Sequence, residues 1–315
     1  MKKEVLIEYL SESISSLFER VENAYIKEVE ELRLRAKKPL IVKIKTKEYY
    51  LSKEKGLTLD MNKAYRTSIE DIKKTLELMS NFSLYSIGDE LKNGYITLPG
   101  GHRVGISGKT VSEGGLVKTI SYVSGLNIRL SHEIIGCSDK IIEEIALPNI
   151  KHTLIISPPG CGKTTLLRDI ARQLSNGVEG MFKGVNTCIV DERSEIAGCY
   201  MGVAQNDIGV RTDVLDGCPK AVGMMMLLRS MAPKVIIVDE IGSKDDVKAI
   251  ESIVNAGVKI ISTIHGNSIE DVMEKPDMAE LIKRRIFERY ILLGYKNGPG
   301  HIEAVYGPDL RRVNI

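Results

Sequence analysis

The chain has no tryptophan, only four phenylalanines among its 315 residues, and a net charge of just +2. A single-strand nucleic-acid binder tracks its ligand with a basic groove and stacks bases on aromatic side chains. This composition speaks against that class. The five cysteines, Cys137, Cys161, Cys188, Cys199 and Cys218, are odd in number and contain no CxxC pair. Neither a zinc site nor a disulfide framework is supported, and the free thiols fit a reducing compartment. No stretch reaches the roughly 20 apolar residues of a membrane helix, so direct membrane insertion is not expected. The first residues, MKKEVLIEYLSESISSLFERV, carry an acid at position 4 and no long apolar run, unlike a secretory signal. No internal repeat of fixed period stands out.

What is present is ordinary globular material. A hydrophobic fraction of 43% and a charged fraction of 27% are enough for a substantial core. The length points to about two domains. Basic residues cluster between Arg33 and Lys55, in RLRAKKPLIVKIKTKEYYLSKEK. One reading is a solvated strand edge, where lysines discourage aggregation. The other is contact with an anionic partner.

Periodicity divides the chain near Ser131–Lys140. Upstream, Ile7 to Glu22 reads as one amphipathic helix with Leu10, Ile14, Leu17, Phe18 and Val21 on a face. Short strands follow over VEELRLRAKKPLIVKIKTKEYYL, then a helix capped at Ser68 and running through SLYSIGDELKNG. Two short strands flank Pro99-Gly100-Gly101, and another ends near Arg129. Residues 1–134 are thus expected to form a smaller α+β domain. Residues 135–315 alternate apolar strands (TLIIS, TCIVDE, KVIIVDE, VKIISTI, RYILLG) with helices. That alternation predicts an α/β fold with a doubly wound, mostly parallel sheet.

The strand TLIIS runs straight into SPPGCGKTT, Ser157 to Thr165, and an apolar-periodic helix follows. Strand, glycine-bearing turn and helix are the context of a phosphate loop. Gly160 and Gly162 let successive N–H groups turn inward around a phosphate, and the helix N-terminus adds its positive end. Pro159, Gly160, Cys161, Gly162, Lys163, Thr164 and Thr165 are the candidate nucleotide-binding residues. Lys163 would reach the β- and γ-phosphates, and the Thr164 hydroxyl would serve Mg²⁺. The usual pattern has glycine at position 157, where this chain has serine.

A second element supports the first. VIIVDE, Val235 to Glu240, is an apolar strand ending in two carboxylates. Asp239 would join Thr164 in holding Mg²⁺, and Glu240 would polarise the attacking water. Together they point to an ATP or GTP hydrolase. The lack of an NKxD element favours ATP. Two further strand ends carry polar motifs: VDERSEIAG, with Asp191, Glu192 and Glu195, and STIHGNS, with His265. Ligands bind at this carboxyl edge of an open parallel sheet. Asp191 and Glu192 are expected to orient the water, and His265 to sense the γ-phosphate.

In that order the motifs resemble the secretion ATPases of type II and type IV systems and type IV pili, whose core is a RecA-like P-loop fold. The acids at 191, 192 and 195 fall on that family's acidic box. Arg229 falls on the arginine of the helix before the VIIVDE strand, Glu240 on the catalytic glutamate and His265 on the histidine box. LPGGHRVGISGKTV, NIRLSHEI and DVLDGCPKAVGMMMLLRSMAPKVIIVDEIG narrow the resemblance to a stage III sporulation branch in endospore-forming bacteria. The chain departs from the secretion pattern at Ser157 and at Asp239, where glycine is usual, and it lacks a tetracysteine insertion.

The resemblance implies an ATP- and Mg²⁺-dependent hydrolase acting as a hexameric homo-oligomer. It would sit in the mother-cell cytoplasm, peripheral to the membrane, on membrane proteins of a sporulation channel complex. The upstream domain would then serve regulation, oligomerisation or partner contact. An added arginine is also implied, since phosphoryl transfer gains orders of magnitude from one. Arg129 is the leading candidate, with Arg103 and Arg211 behind it. Met224, Met225 and Met226 are read as core filling. Two other functions stay open at this point, a RecA-like nucleic-acid motor and a nucleotide-dependent scaffold with little turnover.

Overall fold

In the computed structural model the described residues are 3–45, 47–54, 56–83, 88–131, 133–295 and 300–314. They fall into two compact units, Met1–His132 and Glu133–Ile315.

The first unit opens with two helices, α1 (Lys3–Glu8) and α2 (Glu12–Phe18), where the sequence reads as one. The break is at Ser11. Its backbone N–H donates to Thr75 Oγ1 at 3.0 Å and its hydroxyl to Asp71 Oδ1 at 3.0 Å, so it bonds to another helix rather than to its own. The expected apolar face survives the break, with Leu10, Ile14, Leu17, Phe18 and Val21 all buried. Helix α3 (Asn23–Ile26) leads into β1 (Val29–Arg35), β2 (Ile41–Ile44), β3 (Lys47–Ser52) and β4 (Gly56–Thr58). Ser68 caps α4 (Ile69–Met79) in a capping box with Asp71. The long helix expected here ends at α4. A separate α5 (Gly88–Lys92) follows, and residues 84–87 of the expectation lie outside the described residues.

Strands β5 (Tyr95–Leu98), β6 (His102–Glu113) and β7 (Leu116–Arg129) complete an antiparallel sheet in the order β4-β3-β2-β1-β7-β6-β5. Positive φ at Gly100 and Gly101, 86° and 72°, makes the turn between β5 and β6. The basic stretch forms the inner strands of the meander. Lys43 pairs with Glu30 at 3.0 Å and Lys45 with Glu28 at 2.7 Å, on the surface.

The second unit holds an eight-stranded sheet, β12-β11-β13-β14-β8-β15-β16-β17. Its parallel part is β8 (Thr153–Ser157), β11 (Thr187–Asp191), β12 (Thr212–Asp216), β13 (Val235–Val238), β14 (Lys259–His265) and β15 (Arg289–Gly294). The sequence reading missed β12 in the parallel part, and also β16 (His301–Tyr306) and β17 (Arg312–Val313), which run antiparallel at one edge. A short hairpin, β9 (Gly177–Val178) and β10 (Phe182–Lys183), stands apart.

Alternate residues of these strands feed two apolar clusters. Ile155, Ile189, Ile237 and Ile261 join Leu166, Leu167, Ile170 and Leu174 of α7 (Lys163–Asn176). Ile156, Val190, Ile236 and Ile260 join α8 (Lys220–Ser230), α9 (Lys244–Asn255) and α11 (Pro276–Lys283), while α6 (Ile142–Ala146) lies with α7 and α10 (Ile269–Met273) with α11. Helices therefore cover both faces of the sheet. Of the three methionines on α8, only Met224 is fully buried; Met226 is 49% exposed.

Asp169 fixes the long axis of α7. It is 2% exposed and accepts from Ser138 N at 2.8 Å, Ser138 Oγ at 2.7 Å and Gly136 N at 3.1 Å, with Arg172 alongside. Burial pushes its carboxyl up, but the bonds from Ser138, Arg172 and Gly136 outweigh burial and hold it below the usual range. A depressed carboxyl stabilises the fold above its unfolded value and loses that contribution as pH falls through the folded one. Asp169→Asn should cost about 1–3 kcal/mol at neutral pH. In urea titrations the gap between variant and wild type should close below about pH 4.

Candidate active site

The turn after β8 answers the question of the missing glycine. Ser157 is the last residue of that strand, fully buried and in register with His265. Its carbonyl accepts from Gly266 N at 3.2 Å, and its hydroxyl donates to the Pro158 carbonyl at 2.7 Å. Positive φ falls later, at Gly160 (76°) and Gly162 (81°). Position 157 thus keeps strand geometry open to any small L-residue, and only the two later positions need glycine. Gly162 is the N-cap of α7 and brings no capping side chain, so the first-turn amides keep their capacity for an anion. The loop is tied down from outside: Tyr295 Oη donates to the Pro159 carbonyl, and Gly300 N to the Cys161 carbonyl at 2.6 Å. The Cys161 side chain is buried.

In the sheet, β14 lies between the loop strand β8 and the acid-tipped β13. Thr164 Oγ1, in the first turn of α7, donates to Asp239 Oδ2 at 2.7 Å. Thr263 on β14 donates to Asp239 Oδ1 and accepts from Glu240 N at 2.8 Å. Glu240 takes a φ of 55°, left-handed for a residue with a Cβ. Such strain persists only where the surroundings hold it, and Thr263 supplies a second hold as its carbonyl accepts from Ile241 N at 2.9 Å.

The twist pairs the Glu240 carboxylate with Arg193 and brings it close to His265. Arg193 Nη1 donates to Oε2 at 2.9 Å, and His265 Nε2 lies 3.6 Å from Oε1. Lys163 Nζ stands 3.0 Å from the same His265 nitrogen. An ammonium only donates, so the ring nitrogen accepts. Lys163, Thr164, Asp239, Glu240 and His265 therefore converge. Beside Glu240 and His265 opens a cavity of about 550 Å³, lined also by Lys220, Lys275 and Asp245.

Thr164 and Asp239 offer hard oxygen donors in contact with each other. No cluster of three or more His, Cys, Asp or Glu side chains with metal-binding geometry occurs among the described residues. This small donor set suits Mg²⁺, which keeps most of its shell for waters and phosphate oxygens.

The acidic box takes a different part from the one its sequence suggests. Asp191 is 2% exposed, and its oxygens accept from Glu195 N (2.8 Å), Ile196 N (3.0 Å) and Ala197 N (2.8 Å). Its oxygens are committed to backbone N–H groups of its own loop, so Asp191 anchors the loop, where the sequence reading expected it to orient water. Arg168, buried on α7, completes the anchor by donating to the carbonyls of Glu195 and Ile196. Glu192 is paired with Lys220 at 2.8 Å.

The expected arginines fall on different elements. Arg129 and Arg103 belong to the first unit, opposite each other on β7 and β6, and Arg103 stacks on Tyr95 with 3.7 Å to the ring centre. Arg211 sits before β12, at the N-terminal edge of the parallel sheet and opposite to the loop, where it donates to the Ser175 carbonyl at 3.0 Å. That places it a full strand length from this chain's Lys163. Arg229 is exposed near the end of α8. Sequence reasoning missed Arg193, Thr263 and Tyr295. Arg193 stood inside VDERSE, where only the acids drew notice. Thr263 carried a signal of its own, since it and Ser262 are hydroxyls among the buried isoleucines of β14.

Residues 1–313 match the family model described as sporulation stage III, protein AA. Stage III sporulation protein AA of Bacillus subtilis (strain 168) is 41% identical over 304 residues, covering 96% of this chain and 95% of that protein. The fold is similar to that of the ATPase DotB of Yersinia pseudotuberculosis, with a TM-score of 0.59 at 14% identity over 90% of this chain and 76% of that one. It is also similar to the pilus retraction motor PilT with bound ADP, with a TM-score of 0.54 at 18% identity over 85% of this chain and 75% of that one. The chain belongs to the stage III sporulation protein AA family, with the fold of secretion and pilus ATPases. Among the described residues no helix is long and apolar enough to cross a membrane.

Burial pushes the Asp191 carboxyl up to about 6, and the three backbone N–H bonds pull it back only in part. A raised carboxyl makes the fold less stable as pH climbs from the unfolded value to the folded one, and the loss then levels off. Wild-type stability should therefore fall relative to Asp191→Asn between about pH 4 and the folded value. Urea midpoints of the two proteins across that range check it.

Proposed function

We propose that this chain is an Mg²⁺-dependent ATP hydrolase of the secretion-ATPase type, and that it energises or assembles a transenvelope channel complex during endospore formation. The observation that carries the reading is the direct Thr164–Asp239 bond, which joins the phosphate-type loop to the acidic strand tip across β14. In a nucleotide site these two groups would hold Mg²⁺, whose chemistry is to neutralise charge on the phosphate oxygens. Residues 159–165 would wrap the phosphates with loop and helix amides, and Lys163 would leave His265 for the β- and γ-oxygens. Glu240, turned outward by its left-handed backbone, would accept a proton from the attacking water. His265, between Lys163 and Glu240, would register whether a γ-phosphate is present.

The site opens beside Glu240 onto the cavity. A hexameric ring would close it with groups from a neighbouring copy, and Arg129 in the first unit is the candidate in trans. The first unit would then carry ring contacts and the attachment to membrane proteins of the channel complex, from the cytoplasmic side of the mother cell. Nucleotide-driven shifts of one domain against the other would supply the work.

Purified protein with Mg²⁺ and ATP should hydrolyse ATP at a per-subunit rate that rises with protein concentration. Lys163→Ala should abolish nucleotide binding. Glu240→Gln should retain binding but lose about 10²–10⁴-fold in turnover. A wild type that binds no nucleotide would sink the reading.

A further inference from the structure

A loop that wraps a phosphate must offer its N–H groups and turn its carbonyl oxygens away, since both kinds of oxygen are acceptors. In the turn after β8 the first two residues, Pro158 and Pro159, have no N–H to offer. The supply begins at Gly160. Among the described residues neither the Gly160 nor the Gly162 backbone N–H donates a hydrogen bond. The carbonyls of the same two peptide bonds belong to Pro159 and Cys161, and both are taken. Tyr295 Oη donates to the first, and Gly300 N to the second at 2.6 Å. Both peptides are trans, and a planar trans peptide points its N–H opposite to its C=O. Holding the two carbonyls toward Tyr295 and Gly300 therefore turns the Gly160 and Gly162 N–H groups the other way. We propose that Tyr295 is a positioning residue for phosphate binding: its hydroxyl holds the Pro159 carbonyl outward and so presets the loop amides for the nucleotide. The assignment rests on the nucleotide-site reading above.

The sheet puts Tyr295 in place for this. Strand β15 runs parallel to β8, with Leu292 opposite Ile156. The same register carried past both strand ends sets Tyr295 beside Pro159. Strand β16 returns antiparallel, with His301 opposite Gly294, and brings Gly300 to the same loop. Each hold thus comes from a residue next to a strand end, where the sheet fixes the backbone. A Cβ on Gly160 would lie 3.5 Å from the Tyr295 hydroxyl, so the tip of the ring lies against the loop itself. The hydroxyl also meets the Cys161 side chain, whose hydrogen bond raises the phenol above its ordinary value. Tyr295 is therefore protonated and able to donate at neutral pH. The side chain is 57% exposed and adds little to the core. What its hydroxyl supplies is a loop already shaped for its ligand, which lowers the ordering cost of binding.

Tyr295→Phe removes the hydroxyl and keeps the ring. The experiment titrates fluorescent ADP with Mg²⁺, and inorganic pyrophosphate as its competitor, into wild type, Tyr295→Phe and Lys163→Ala. One hydrogen bond is worth about 3- to 10-fold in affinity, and Tyr295→Phe should weaken ADP and pyrophosphate alike by about that factor. The loop supplies a second readout. Cys161 is buried in the held turn, and its alkylation by iodoacetamide needs the turn to open. In nucleotide-free protein, peptide mass spectrometry should find Cys161 labelled about 3- to 10-fold faster in Tyr295→Phe, by the same lost bond. Cys188, buried in its strand, should label at the wild-type rate. Unchanged ADP affinity overturns the proposal. So does weaker binding with unchanged Cys161 labelling, because the hydroxyl would then touch the nucleotide instead of setting the loop. Faster labelling of Cys188 along with Cys161 would mean a general loosening of the fold, and that too overturns it. If wild type binds neither ADP nor pyrophosphate, as expected of Lys163→Ala, the nucleotide-site reading falls and takes this role with it. That result shows in wild type alone, apart from any effect of Tyr295.

Discussion

One hydroxyl organises the strand ends. Thr263 Oγ donates to the Asp239 carboxylate and accepts from the Glu240 backbone N–H, so it uses both its hydrogen-bonding capacities on two consecutive acids. Remove either bond and the pair at the tip of β13 loses one of the holds that set its direction. With both in place, Asp239 turns toward Thr164 at the start of α7 while Glu240 is thrown into a left-handed turn that faces Arg193 and His265. The hydroxyl is buried with its strand, so no water competes for it. The order β13-β14-β8 makes this possible, because it places the hydroxyl-bearing strand between the loop and the acids.

The loop between β11 and β12 shows a second use of buried charge. Asp191 is pushed toward neutrality by burial and yet accepts three backbone N–H groups. A residue that costs stability in this way is retained for the shape it imposes. Here the shape is a tight loop whose outer members, Glu192 and Arg193, face Lys220 and Glu240. The motif read as a set of catalytic acids is divided between one structural acid and its half-buried neighbours.

Legibility in the sequence followed burial and spacing. Most of the parallel strands were readable because runs such as TLIIS and VIIV are buried on both faces and leave little else to be, whereas β12, TDVLD, is polar and half-exposed and was not read. The loop and strand-tip residues were readable because glycines, lysine and paired acids at those junctions have few structural reasons to be there. The edge strands β16 and β17 were not, since they follow polar, glycine-bearing sequence and owe their pairing to β15. The helix break at Ser11 was hidden for a similar reason. Its cause lies at Asp71 and Thr75, some sixty residues away. Asp191 was misread because two adjacent acids at a strand end look alike in sequence, and only the path of the following backbone shows which one turns inward.

Ser157 has a consequence for how such proteins are recognised. Its residue keeps extended backbone, and the sharp turn is carried by Gly160 and Gly162 alone. Nothing in the local geometry therefore selects for glycine at that first position, and drift there is free among small side chains. A motif search that insists on the leading glycine passes over chains that fold the same loop. A filter that asked for the two inner glycines, the lysine and a buried small residue at the strand end would follow the turn itself.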